Sequence, residues 1–174
     1  MASVKFVNPA RDQNKVSAFT LLILDRILSD AGILSATITS TARTANEQAR
    51  VMYENISRHG VAHQKKLYSK AGDQVIDVYA AASKAGKSAD VVIGEMTTKI
   101  LALDPGKVSK HAVDLSKLNV IDIAPSSIPV GLRPAFVKAL KTQIELGNVT
   151  GFFQPPKDPA YHLEIPQPAI GEQE

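Results

Sequence analysis

The stretch Val108-Ser-Lys-His111-Ala-Val-Asp114-Leu-Ser-Lys-Leu-Asn-Val-Ile-Asp122-Ile-Ala-Pro125 sets an imidazole and then carboxylates inside an apolar, strand-like run that a proline ends. Val120 to Ile123 reads as a buried strand, and Pro125-Ser-Ser-Ile-Pro129 breaks it into a loop. Upstream, Asp104-Pro105-Gly106 is turn chemistry, with Pro fixing φ and Gly supplying freedom, so His111 is expected just after a chain reversal. Near the other end, Asp158-Pro-Ala-Tyr161-His162-Leu-Glu164-Ile places a second imidazole in another apolar strand. Two imidazoles and one carboxylate make three protein ligands, the number a catalytic zinc site uses while its fourth tetrahedral position stays open. Asp114 and Asp122 both offer the carboxylate.

Working outward, helical spacing surrounds these strands. Val16, Phe19, Leu22, Ile23 and Ile27 define a first helix that closes at Asp30 to Gly32, and the Thr- and Ile-rich stretch from Ile33 to Ala42 fits a short strand. Thr44-Ala-Asn-Glu47 is a capping box, which predicts a helix from Ala45 to about His59 that Gly60 ends. The lysine-rich segment 61–72 reads as a solvated loop or helix face, and two more helices are expected from near Asp73 and near Ser88, divided by Ala85-Gly86. A last helix starts near Pro134 and stops at Gly147-Asn148, after which Val149 to Phe153 and Tyr161 to Ile165 read as two strands. The expected fold is α+β: a small antiparallel sheet carrying the zinc site, flanked by helices. The lead-in from Met1 to Asn14 reads as irregular or a short strand, and residues 167–174, rich in Pro, Gly and acid, read as a disordered tail.

Composition narrows the chemistry. With 174 residues and 44% apolar content, one core and a single domain, 1–174, are expected. The chain has no Cys, which removes disulfides, thiolate nucleophiles and Cys-ligated zinc, so any zinc must be held by His and carboxylate. Lys and Arg number 20 against 17 Asp and Glu, a net charge of +3, but no basic–aromatic interleaving or helix-turn-helix pattern argues for nucleic acid. The N-terminus lacks the apolar core of a signal peptide, and the longest apolar run, Leu21 to Leu24, is too short to span a bilayer. Cytoplasmic synthesis without membrane insertion is therefore expected.

The order Arg43-Thr-x-x-x-Gln48, then Ser109-Lys-His111 with a later Ile121-Asp122-Ile-Ala-Pro, then Tyr161-His162-Leu-Glu164, resembles the zinc D,D-carboxypeptidase and L-alanyl-D-glutamate peptidase family, to which many phage endolysins belong. The resemblance spans roughly Ser35 to Ile165. It implies a Hedgehog/D,D-peptidase-like fold with a helical insertion at 60–105. It also implies a zinc ion held by His111, Asp122 and His162, with Asp158 as general base and Arg43 stabilising charge on the carbonyl oxygen. Ten residues separate His111 from Asp122, more than is usual in the family, and the family's loop Gly is missing, so Asp114 is a rival ligand. Asp122 is preferred because Val-Ile-Asp-Ile-Ala-Pro reproduces the family's strand and its exit. Asp158 stands four positions before His162 where the family has three.

Each residue has a plainer role to be weighed. His111 or His162 alone would be an ordinary strand or turn histidine, Asp158 would cap a turn before Pro159, and Arg43 would pair with a local carboxylate. His59 and His63, four apart, have Gly60 between them, which breaks the helix that a shared site would need. Glu164 lies one pleat from His162 and is placed to orient it, or to replace Asp158 as base. The resemblance thus implies a monomeric, endolysin-like peptidase of the peptidoglycan stem peptide, made inside the cell and acting on the wall after release. The alternative is an inactive relative serving as a wall-binding or phage structural module.

Overall fold

A computed structural model of the protein describes residues 2–169. They form two compact units. One runs up to Ala42 and resumes at Asp114, and the other is Arg43–Val113.

The first unit is a five-stranded sheet with helices. Its strands are β1 (Ser3–Phe6), β2 (Ser35–Ser40), β3 (Leu118–Ile123), β4 (Gly151–Phe153) and β5 (Tyr161–Pro166), in spatial order β1-β2-β3-β5-β4. The α+β expectation holds, but the sheet is mixed: β1 and β2 run parallel and the other pairs antiparallel. The parallel pair follows from the connection, since α1 (Pro9–Asp12) and α2 (Ala18–Asp30) fill the crossover that parallel strands require. The last helix of this unit, α8, is Arg133–Glu145, with Pro134 in its first turn.

Sequence period decides which face each element buries. In α2, Thr20, Ile23, Leu24, Ile27 and Leu28 fall on one stripe and are buried, while Leu21 and Leu22 stay partly exposed. That stripe packs with Phe136, Ala139 and Leu140 of α8 on Ile38, Ile121, Ile123, Tyr161, Leu163 and Ile165 of the sheet. Full burial of each such aliphatic side chain contributes about 1.5–3 kcal/mol. Side chains alternate along a strand, so Asp122, His162 and Glu164 project from the other face. Buried polar groups tie the ends: Asn119 Oδ1 accepts from Ser17 N and Thr20 Oγ1, and Gln167 Nε2, within the expected tail, donates to Thr20 Oγ1. Residues 170–174 of that tail lie outside the described residues.

The second unit is helical: α3 (Ala45–His59), α4 (Val61–Gln64), α5 (Lys70–Lys84), α6 (Ala89–Leu103) and α7 (Pro105–Val108). Thr44 and Glu47 form the capping box read from sequence, and Gly60, at φ 84°, ends α3. Met52, Ile56, Val75, Ile76, Val92, Met96 and Ile100 make a second hydrophobic core, and the expected insertion at 60–105 lies within this unit. Among the described residues no helix is long and apolar enough to cross a membrane.

Candidate metal centre

Strand pairing builds most of the site. The antiparallel register sets Asp122 of β3 directly opposite His162 of β5, and His162 opposite Phe153 of β4. One line across three strands thus presents carboxylate, imidazole and phenyl ring on the face away from α2 and α8. His162 Nδ1 lies 2.9 Å from Asp122 Oδ1, and its Nε2 lies 3.5 Å from Glu164 Oε1. Gly151 is the cross-strand partner of Glu164, and a Cβ there would stand 2.5 Å from Glu164 Cδ. The missing side chain is what lets that carboxylate lie beside β4.

The electrostatics follow from this enclosure. Burial alone would push the His162 pKa down. The hydrogen bond and charge of Asp122, the charge of Asp158 and the contact with Glu164 outweigh it and hold the pKa above the usual histidine value. The imidazolium is thereby favoured whenever the ring has only carboxylates for partners.

His111 was expected within a strand-like run. It sits instead in a single 3-10 turn, Lys110–Ala112, ahead of β3, with its carbonyl accepting from Arg43 N at 2.7 Å. Its imidazole is buried. His111, Asp122 and His162 each offer one ligand atom, and these atoms all lie within 4.8 Å of one another.

The donor set could hold a metal ion. Two ligands of one tetrahedral zinc, at bonds of about 2.0–2.1 Å, stand about 3.3 Å apart. The Asp122–His162 separation of 2.9 Å is already within a few tenths of that spacing. If Nδ1 faces the ion, Nε2–H is left to donate to Glu164, the carboxylate–histidine–metal arrangement that fixes the ring's tautomer. Hard oxygen and borderline imidazole donors without sulfur suit zinc, and equally suit other first-row divalent ions.

The remaining candidates fall as follows. Asp114 is exposed, and its Oδ1 accepts from both the backbone N–H and the hydroxyl of Ser116, bonds that keep its pKa low and employ it as a turn cap. It is absent from the ligand cluster. Asp158 lies in the β4–β5 loop, where Oδ1 accepts from Ala160 N at 2.9 Å, the capping role weighed above. It acts on His162 through its charge and is also absent from the cluster. Arg43 donates from Nη1 to Gln48 Oε1 at 3.2 Å, and the fully buried Gln48 in turn donates from Nε2 to Tyr68 Oη at 3.4 Å. His59 and His63 are exposed, but the bend at Gly60 brings their rings to 5.7 Å.

Sequence reasoning missed Gly151, Phe153 and Tyr68. Gly151 and Phe153 gain their roles only from the β4–β5 register, and Tyr68 only from the packing of α5, where a Cβ on Gly72 would come within 2.6 Å of it. Comparison of the chain with protein-family models, curated proteins and solved structures returns no match.

Proposed function

We propose that this protein is a zinc-dependent peptidase that hydrolyses an amide bond in the stem peptide of bacterial peptidoglycan. The observation that supports it most is the convergence of His111, Asp122 and His162, the three residues that the family resemblance names as ligands. A zinc ion bound by them supplies a water of lowered pKa and a Lewis acid for the amide carbonyl. Glu164 fixes the ring of His162 by accepting from Nε2. Asp158 has Oδ1 held by Ala160 N, which leaves Oδ2 to take a proton from water and return it to the leaving amine. Arg43, steadied by Gln48, is the cation assigned to the developing oxyanion.

A second reading has its own observation. His162 already has a carboxylate at each ring nitrogen, so a metal-free imidazolium would bridge Asp122 and Glu164 and simply brace β3 against β5. In that case the protein is a wall-binding or phage structural module without catalysis.

Metal analysis and digestion separate the two. Purified protein is assayed for zinc and incubated with purified peptidoglycan, and new amino termini are identified by mass spectrometry. One zinc per chain and chelator-sensitive cleavage support the peptidase. Substoichiometric zinc with no new termini overturns it in favour of the bracing role.

A further inference from the structure

The loop between β4 and β5, residues 154–160, borders the candidate site and carries a cation in a defined place. The Lys157 ammonium stands 4.3 Å from the centre of the Phe153 ring, and that ring lies 5.6 Å from the imidazole of His162. Phe153 is the cross-strand partner of His162, so its position is set by backbone pairing. The loop is tied to itself: Lys157 N and Asp158 N both donate to Gln154 O, and Ala160 N donates to Asp158 Oδ1. Lys157 therefore starts from a fixed backbone and ends over a fixed ring.

Its partner is unusual for an exposed lysine. Asp158 adjoins it in sequence, yet the ammonium makes no ion pair among the described residues and rests on the phenyl face. Such a contact restrains the side chain while leaving ammonium N–H donors free for another acceptor. The strand face beside it carries Asp122 and Glu164, with Asp158 in the loop. Those three carboxylates outnumber the two charges of a bound zinc ion by one, so a cation at the rim eases the approach of an anionic chain.

We propose that Lys157, restrained by Phe153, is a specificity residue that pairs with a carboxylate of the peptide substrate. The proposal rests on the peptidase reading and gives it a substrate class: peptides bearing a carboxylate within about three residues of the scissile amide. The span sets that number. The two ring contacts laid end to end put the ammonium at most about 10 Å from the imidazole, and extended peptide advances about 3.3 Å per residue.

The test uses the full chain and two forms of one probe: purified peptidoglycan as isolated, and the same material with its carboxylates converted to carboxamides. Co-sedimentation and release of new amino termini are measured with wild type, Lys157→Gln, Lys157→Arg and Lys157→Glu, alongside zinc content. Wild type is expected to favour the carboxylate form. Lys157→Gln should lose about three- to fivefold on that form alone, Lys157→Glu about tenfold, and Lys157→Arg should keep the preference, with zinc unchanged throughout. Cleavage that ignores both the charge of the wall and the charge at 157 overturns the inference and leaves the peptidase standing. Charge-dependent co-sedimentation through Lys157 without any cleavage supports anion recognition at this rim and removes the peptidase. Loss of both charge dependence and cleavage removes both.

Discussion

The helical unit, Arg43–Val113, is punctuated by signals that lie next to one another in the chain, whereas the sheet unit is held by pairings between distant segments. Thr44 and Glu47 start α3, Gly60 ends it, Ser69 caps α5 and Gly86, at φ 71°, follows its end. In the sheet unit, β3 pairs with β5 some forty residues on, and Ser17 bonds Asn119 across a separation of 102. Local signals delimit elements, and non-local register assembles chemistry. Asp122, His162, Glu164 and Phe153 stand together only because antiparallel pairing aligns them.

The comparison breaks most visibly at the ligands. On the proposed zinc peptidase reading, Asp122→Asn should lower zinc affinity by at least about a hundredfold and take hydrolysis with it, because a neutral amide is a poor ligand for a dication. Asp114→Asn should keep zinc and activity, since that carboxylate serves the Ser116 turn. His162→Ala should match Asp122→Asn while leaving the fold intact, as the core lies on the other face of the sheet. Equal zinc loss in Asp114→Asn and Asp122→Asn, measured by metal analysis, would overturn the assignment of the carboxylate ligand.

The two cores can be probed one against the other. Ile27→Ala in the sheet unit and Met96→Ala in the helical unit each remove a fully buried side chain and should each cost about 2–5 kcal/mol. Native-state hydrogen exchange should show faster amides mainly in the unit that carries the substitution, because the two clusters are separate. The sheet unit also carries an acid-sensitive tie. Asp12 is fully buried, and although burial raises its pKa, the Arg11 guanidinium and Thr41 hydroxyl outweigh that and hold it below 3.8. A lowered folded pKa contributes stability that is present above pH 3.8 and is lost as pH falls through the folded value. Asp12→Asn should therefore flatten the acid limb of an unfolding curve measured by circular dichroism.

How much of this was legible in the sequence differs by level. Periodicity and caps mark the five long helices, α2, α3, α5, α6 and α8, and the apolar runs mark β3 and β5. The parallel partnership of β1 was not readable, because a four-residue edge strand carries too little pattern to declare a partner or a direction. Nor was the 3-10 turn holding His111, since one turn has no period to recognise. The candidate ligand set came from family resemblance, for spacing alone left Asp114 and Asp122 open. Gly151 illustrates the remaining gap: its role exists only opposite Glu164, and register is not written in either residue.

That glycine gives a sharper and smaller test. A methyl at Gly151 meets the far end of the Glu164 side chain, which can swing aside, so the fold should tolerate Gly151→Ala with little loss of stability. The displaced carboxylate would no longer accept from His162 Nε2, and loss of such an outer partner typically weakens metal affinity about 10–100-fold. Glu164→Gln should weaken zinc less, because the amide oxygen can still accept from Nε2–H. A Gly151→Ala protein with wild-type zinc affinity by competitive titration would mean that Glu164 does not orient the ring.

The smallest effect belongs to the helical unit and tests whether its order is local. Thr44→Ala removes the hydroxyl that accepts from Glu47 N, while Glu47 can still accept from the backbone N–H of residue 44. Half of the reciprocal cap survives, which puts the expected cost near about 1 kcal/mol, within the range for a lost N-cap. The loss should appear as faster amide exchange in the first turn of α3, the turn that also holds Gln48 and, through it, Arg43. If Arg43 acts on the reaction, loosening that turn should lower kcat while zinc content stays at one per chain. Thr44→Ser restores the hydroxyl and should restore both exchange protection and kcat. Should exchange quicken with no change in kcat, the cap is structural only and Arg43 takes no part in turnover.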